Sequence, residues 1–263
     1  LQVAGPEDGR GVVLVHGMTY PMEVWTSLFE HLVSRGRRVC RYDLWGRGLS
    51  ELPEVPLTRA VLVEQLRGVM DAAGFAGPVT LVSLSNSDLV VTELARRQPE
   101  AVRAVVMLAP SVVDRRTMTF GRRMLGRVPG LKGVLSSALR SRAITRMEGH
   151  RSALPPTASP AAQEAYAFSL RSARESPLFA RAVVSHLAHL PTEGEALETF
   201  AHLQRSGLTG TALCFSDEVD VGDEARQLLA RHWPACSVRT LAGTHMGLLE
   251  HPEPVNAAVE ALT

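Results

Sequence analysis

The spacing of apolar residues changes back and forth along the first hundred positions. Gly11-Val12-Val13-Leu14-Val15 is a continuous apolar run, as a strand covered on both faces needs. Over 23–35 the spacing becomes helical, and 38–42 returns to a strand pattern with Asp43 at its end. Residues 58–73 repeat apolar positions at Val61, Leu62, Leu66 and Val69, one face of a helix. A strand over 79–84, a helix over 88–97 halted by Pro99, and a strand over 102–108 follow. Such alternation predicts βαβ units and an α/β fold with a mostly parallel, doubly wound sheet. From 111 to 206 the chain shows helical patterns and loops but no convincing strand. Strand and helix patterns resume at 211–215, 223–232, 237–241 and 254–262. The expected organisation is a core of 1–110 and 207–263 carrying a helical cap inserted over 111–206.

Composition narrows this picture. The 263 residues are 45% hydrophobic and 21% charged, a globular balance, and the formal net charge of +1 directs the chain to neither nucleic acid nor membrane. Cys40, Cys214 and Cys236 each lie in a strand-like run. Their odd number and lack of framework spacing predict buried thiols, and no Cys/His spacing of the metal-binding kind occurs. Apolar runs fall far short of the ~20 residues that span a bilayer, and no leader pattern opens the chain, so a cytoplasmic protein is expected.

Four segments carry candidate chemistry. The first, Val82-Ser83-Leu84-Ser85-Asn86-Ser87-Asp88, joins a strand to a helix. Its bland reading is a polar turn in which Ser85 or Ser87 caps the helix. The second, Gly243-Thr244-His245-Met246-Gly247-Leu248-Leu249-Glu250-His251-Pro252-Glu253, lies between the last strand and the last helix. Histidine has the pKa to take a serine proton near neutrality. The third is His16-Gly17-Met18-Thr19, directly after the first apolar run, and the fourth is Asp43-Leu44-Trp45-Gly46-Arg47-Gly48-Leu49-Ser50.

In this order and spacing the four segments resemble the α/β-hydrolase superfamily, of the helical-cap type that includes esterases, meta-cleavage-product hydrolases and haloperoxidase-like enzymes. The resemblance covers about residues 10–110 and 208–262. It implies Ser85 as nucleophile in a G-x-S-x-G elbow, here S-x-S-x-S because Ser83 and Ser87 replace both glycines. It implies His245 as base, and an oxyanion hole from the N–H groups of Met18 and Asn86. His16 is then structural, His251 opens the last helix, and the Asp43 loop is a tight turn outside the active site. The triad acid falls in Cys214-Phe215-Ser216-Asp217-Glu218-Val219-Asp220-Val221, which lacks the family's glycine. Asp217 fits first, Asp220 and Asp114 remain open, and Glu218 and Asp223 are assigned to solvent. Two geometric expectations follow: a positive φ at Ser85, and a Ser85–His245 hydrogen bond of roughly 2.6–3.2 Å.

The function implied is hydrolysis of an ester or thioester of a small organic acid, with no cofactor and no metal. Loss of both elbow glycines leaves open C–C cleavage or elimination, and a non-catalytic binder is the third class. Residues 111–151 hold ten basic residues (Arg115, Arg116, Arg122, Arg123, Arg127, Lys132, Arg140, Arg142, Arg146, Arg151) against Asp114 and Glu148. One reading is a solvated face; the other is an anionic or carrier-bound small-molecule substrate. No aromatic interleaving of the nucleic-acid-binding kind accompanies the cluster.

Overall fold

The computed structural model describes residues 1–111, 131–152, 154–156 and 158–263. Among them a seven-stranded sheet forms in the order β1-β3-β2-β4-β5-β6-β7. Its strands are β1 (Gln2–Ala4), β2 (Gly11–Val15), β3 (Arg38–Tyr42), β4 (Val79–Leu84), β5 (Val102–Leu108), β6 (Thr209–Phe215) and β7 (Cys236–Leu241). From β3 to β7 every pairing is parallel, while the short edge strand β1 runs antiparallel to β3. This is the expected α/β-hydrolase fold, with β1 added.

Side-chain alternation along β2 sorts the core into two layers. Val12 and Leu14 join α1 (Thr26–Ser34) on one face, while Val13 and Val15 join α2 (Arg59–Ala73) and α3 (Asp88–Arg97) on the other. Both layers exclude water from the strands, so Val12, Val13, Leu14 and Val15 have no exposed surface. Helix α2 begins where its sequence provides a cap: the Thr58 side chain accepts from the Val61 N–H, and Gly74 ends the helix in the left-handed region.

Between β5 and β6 lie α4 (Leu131–Ser152), α5 (Pro160–Glu175), α6 (Pro177–Ala188) and α7 (Glu193–Ser206). Helix α7 starts on a capping box between Thr192 and Glu195. It belongs to the sheet's own helical layer. Phe200 and Leu203 share a core with Trp233, and Thr199 donates to Glu93 of α3. The last helices are α8 (Val219–His232), the single turn α9 (Gly247–Glu250) and α10 (Pro252–Glu260). Cys40, Cys214 and Cys236 are buried free thiols. Among the described residues no helix is long and apolar enough to cross a membrane.

Candidate active site

Strands β2, β4, β5, β6 and β7 are parallel, so the turns after Val15, Leu84, Leu108, Phe215 and Leu241 emerge at one sheet edge. Ligands of open α/β sheets bind at that carboxyl edge. Four of these five turns carry residues singled out from the sequence.

Ser85 stands at the first residue after β4 with φ +56°, a left-handed conformation that side chains rarely adopt. Such strain, of order 1–3 kcal/mol, persists only where the surroundings impose it. The turn after β2 packs closely on Ser85: a Cβ on Gly17 would stand 3.3 Å from both the Leu84 carbonyl oxygen and the Ser85 Cβ. The serines that replace the elbow glycines are both fully buried. Ser87 Oγ donates to the His16 carbonyl, tying the elbow to the turn after β2. Among the described residues Ser83 Oγ, also buried, has no hydrogen-bond partner.

His245 Nδ1 is 2.8 Å from Glu218 Oε1, with both side chains only about one-sixth exposed (17% and 16%). The expectation set Asp217, not Glu218, against this ring. The Asp217 carboxylate accepts from Ser216 Oγ at the exposed surface. The reason lies in the turn after β6. Asp217 gives its backbone N–H to the Gly243 carbonyl at 3.0 Å, which fixes that peptide against the His245 loop and leaves its side chain outside. The next side chain points back, and glutamate has the extra methylene to reach the ring. Glu218, assigned from the sequence to solvent, is therefore the carboxylate paired with His245. Asp114 and the Asp220 side chain lie outside the described residues. Glu250 braces the same loop, accepting from Thr244 N at 2.8 Å and Thr244 Oγ1 at 2.6 Å.

Among the described residues Ser85 and His245 are not hydrogen-bonded to each other. The Ser85 hydroxyl pairs with Ser111 Oγ at 3.2 Å. Catalytic hydrogen bonds of this kind often tighten only against the reacting group. Ser111 was not singled out from the sequence. It lies two residues after Ala109, the other non-glycine residue with positive φ (+44°) among the described residues, so the bend after β5 delivers it to the elbow. The adjoining Pro110-Ser111 pair was the one available signal.

The third turn is buried and rigid. His16 Nε2 accepts from the Leu44 N–H at 2.8 Å, so the proton sits on Nδ1, which donates to the Gly17 carbonyl at 2.7 Å. Among the described residues the Met18 N–H has no acceptor. Asp43 accepts from the N–H groups of Met22 and Leu49, and a Cβ on Gly48 (φ +51°) would strike its carboxylate at 2.3 Å. On the helical side, Tyr20 OH pairs with His150 Nδ1 of α4 at 2.9 Å, and its ring meets Tyr166 of α5 edge-on. Burial and the charges of Arg146 and His245 pull His150 down to about 4.

The buried imidazoles make stability depend on pH. Burial lowers His16 from 6.5 to about 4 and His186 well below 6.5. Below 6.5 the unfolded chain binds protons that the folded chain refuses, so stability is full above pH 6.5 and falls towards pH 4. Around pH 5 unfolding should take up close to one proton at His16, a slope of roughly 1 kcal/mol per pH unit, with His186 adding in the same direction. Calorimetric melting between pH 7 and pH 4.5 reads this directly. A melting temperature flat across that range would contradict it.

Comparison with known proteins identifies the family. Residues 12–258 match the alpha/beta hydrolase family. Over 112 residues the chain is 33% identical to the lipase LipV of Mycobacterium tuberculosis, covering 43% of this chain and 41% of that protein. Over 105 residues it is 26% identical to a non-heme chloroperoxidase of Streptomyces lividans, covering 40% and 38%. These matches thus span about two fifths of each relative. A thermophilic esterase from Thermogutta terrifontis superposes over 99% of this chain and 91% of its own, with a TM-score of 0.75 at 18% identity. With a match running from the first apolar strand to the last helix, the chain belongs to the alpha/beta hydrolase family.

Proposed function

We propose that this chain is a serine-dependent hydrolase of esters or thioesters of small-to-medium organic acids, acting through an acyl-enzyme. One observation carries the reading. Ser85 is held in the left-handed region at the strand–helix turn, on the same sheet edge as the His245–Glu218 pair. The lipase relative supports ester chemistry.

In this reading Ser85 Oγ attacks the substrate carbonyl while His245 Nε2 takes the serine proton. Glu218 holds the other ring nitrogen protonated and stabilises the imidazolium, the task an acid has in such triads. Negative charge on the carbonyl oxygen is met by the N–H groups of Met18 and Asn86. The tetrahedral species collapses as His245 returns the proton to the leaving alcohol or thiol. Water then adds to the acyl-serine by the same route and releases the acid. Helices α4, α5 and α6 form the cap over the strand ends, with α7 left in the sheet layer. We place the protein in the cytoplasm, with a small-molecule substrate. An anionic or carrier-bound substrate fits the basic cluster. Arg146 is its described member whose charge reaches Tyr20 and His150. Arg115, Arg116, Arg122, Arg123 and Arg127 lie outside the described residues.

The test is covalent. A fluorophosphonate should add one phosphonyl group per chain, map by peptide mass spectrometry to Ser85, and abolish hydrolysis of p-nitrophenyl butyrate. Labelling of Ser111 in its place, or hydrolysis that survives full labelling, would overturn the acyl-enzyme and favour the C–C-cleaving or eliminating alternative.

A further inference from the structure

Arg47 has no role in the mechanism above, yet it is the most unusual side chain near the site. It is 1% exposed, a depth at which arginines are rarely found without a charge partner. Its partners are two carbonyls and an imidazole. Nε donates to the Met18 carbonyl at 3.0 Å, Nη1 to the Trp45 carbonyl at 2.7 Å, and Nη2 to His186 Nδ1 at 2.9 Å. Guanidinium can only donate, so His186 accepts at Nδ1 and carries its proton on Nε2. Burial pulls Arg47 down to about 9, still cationic at neutral pH, and keeps His186 neutral.

The three partners belong to three parts of the molecule. Met18 is in the turn after β2, Trp45 is in the turn after β3, and His186 is on α6 of the cap. The same helix approaches that turn closely elsewhere. A Cβ on Gly46 would lie 2.5 Å from Ala182 Cβ, and Ser185 Oγ accepts from the Leu57 N–H at 2.9 Å. The guanidinium is planar, and its donors form a fixed fork. A shift of α6 at His186 therefore displaces the group that grips the Met18 carbonyl. That carbonyl is separated from the N–H of Met18, the donor assigned to the oxyanion, by only the φ and ψ rotations of one residue.

We infer that Arg47 is a positioning residue that couples the seating of cap helix α6, through His186, to the orientation of the oxyanion-binding turn at Met18. This rests on the serine-hydrolase reading and extends it. The cap then tunes transition-state binding as well as covering the substrate. An oxyanion donor acts on charge that exists only in the transition state, so the signature of the coupling is a loss in kcat at constant KM.

The experiment compares His186→Leu, which deletes the acceptor, with His186→Asn, whose side-chain oxygen reproduces Nδ1. Hydrolysis of p-nitrophenyl butyrate is measured alongside the affinity for butylboronic acid, which takes the serine oxygen as a fourth ligand and mimics the tetrahedral state. His186→Leu should lower kcat about ten- to hundredfold, the cost of a small misplacement of a catalytic group. KM should stay within about twofold, boronate affinity should fall in step with kcat, and His186→Asn should recover most of the loss. Should the leucine variant not fold, His186→Gln, with its oxygen one bond farther out, supplies the same contrast to asparagine. Unchanged kcat overturns the coupling. So does a loss confined to KM with boronate affinity intact, or an asparagine variant as impaired as the leucine or glutamine one. A Ser85→Ala control separates the two levels. If it hydrolyses the ester like the parent, the serine reading has failed. If it is inactive while His186→Leu matches the parent, only the coupling has.

Discussion

Ser85→Ala is expected to lower kcat on p-nitrophenyl butyrate by about 10⁵–10⁶-fold, with little change in KM or melting temperature. The size follows from Ser85 being the atom that forms the bond. Without Oγ no acyl-serine arises, and only the oxyanion donors and substrate positioning remain, worth about 10³–10⁴ over water. Stability should hold, because alanine removes a hydroxyl whose one partner among the described residues is Ser111 Oγ at 3.2 Å. The strained φ of +56° stays, since alanine also has a Cβ. Ser85→Gly would relax it, and its melting temperature against that of Ser85→Ala reads the stored strain. Stopped-flow and steady-state assays on Ser85→Ala decide the main point: activity within tenfold of the parent would remove Ser85 from the chemistry.

The fold was legible because its signals are redundant. Val12 to Val15 form a run with no exposed surface, and a run apolar on both faces has few homes other than a central parallel strand. Thr58 and Gly74 mark the two ends of α2 with side-chain and backbone chemistry that the sequence displays. What escaped notice depended on tertiary partners. Strand β1 spans three residues and pairs with β3 at the sheet edge, too short to carry a period. Helix α7 reads as one more helix of the insertion, because periodicity reports that Phe200 and Leu203 share a face but not that Trp233 lies opposite. Arg47 reads as a loop arginine between two glycines, and its burial against Met18 and His186 joins segments 29 and 139 residues away.

Site residues followed the same division. Ser85, His245 and the turn holding Met18 could be put forward from the sequence because the proposed nucleophile, base and two amide donors each need a fixed point at a strand end. The carboxylate that pairs with His245 could not, since its requirement is only to lie within reach of Nδ1. Residues 216–220 offer three acids in five positions. One residue of register separates Asp217 from Glu218 and turns the side chain from solvent to the ring. That register is set by the Asp217 N–H to Gly243 carbonyl bond, a long-range contact without a local sequence mark.

Glu218→Gln should therefore lower kcat by about 10³–10⁴-fold, while Asp217→Asn should stay within about threefold of the parent. Glutamine keeps the length and shape of Glu218 but can offer its amide N–H to Nδ1, which favours the tautomer with the proton on Nε2. That ring cannot accept the serine proton, and the imidazolium loses its counter-charge. Asp217 has a different task. Its backbone N–H orders the turn, and asparagine leaves that bond intact. Among the described residues its carboxylate meets only Ser216 Oγ, at 2.8 Å on the exposed surface, where amide for carboxylate changes little. Glu218→Asp adds a third measurement. It keeps the charge but withdraws it by one methylene, so its kcat should fall between those of the parent and Glu218→Gln. NMR of the His245 ring protons gives a readout independent of turnover: the Nδ1 proton, deshielded by the carboxylate in the parent, should be lost from the downfield region in Glu218→Gln and stay in place in Asp217→Asn. If Asp217→Asn is the crippled variant and Glu218→Gln is active, the Glu218 contact is structural and the catalytic carboxylate is Asp217.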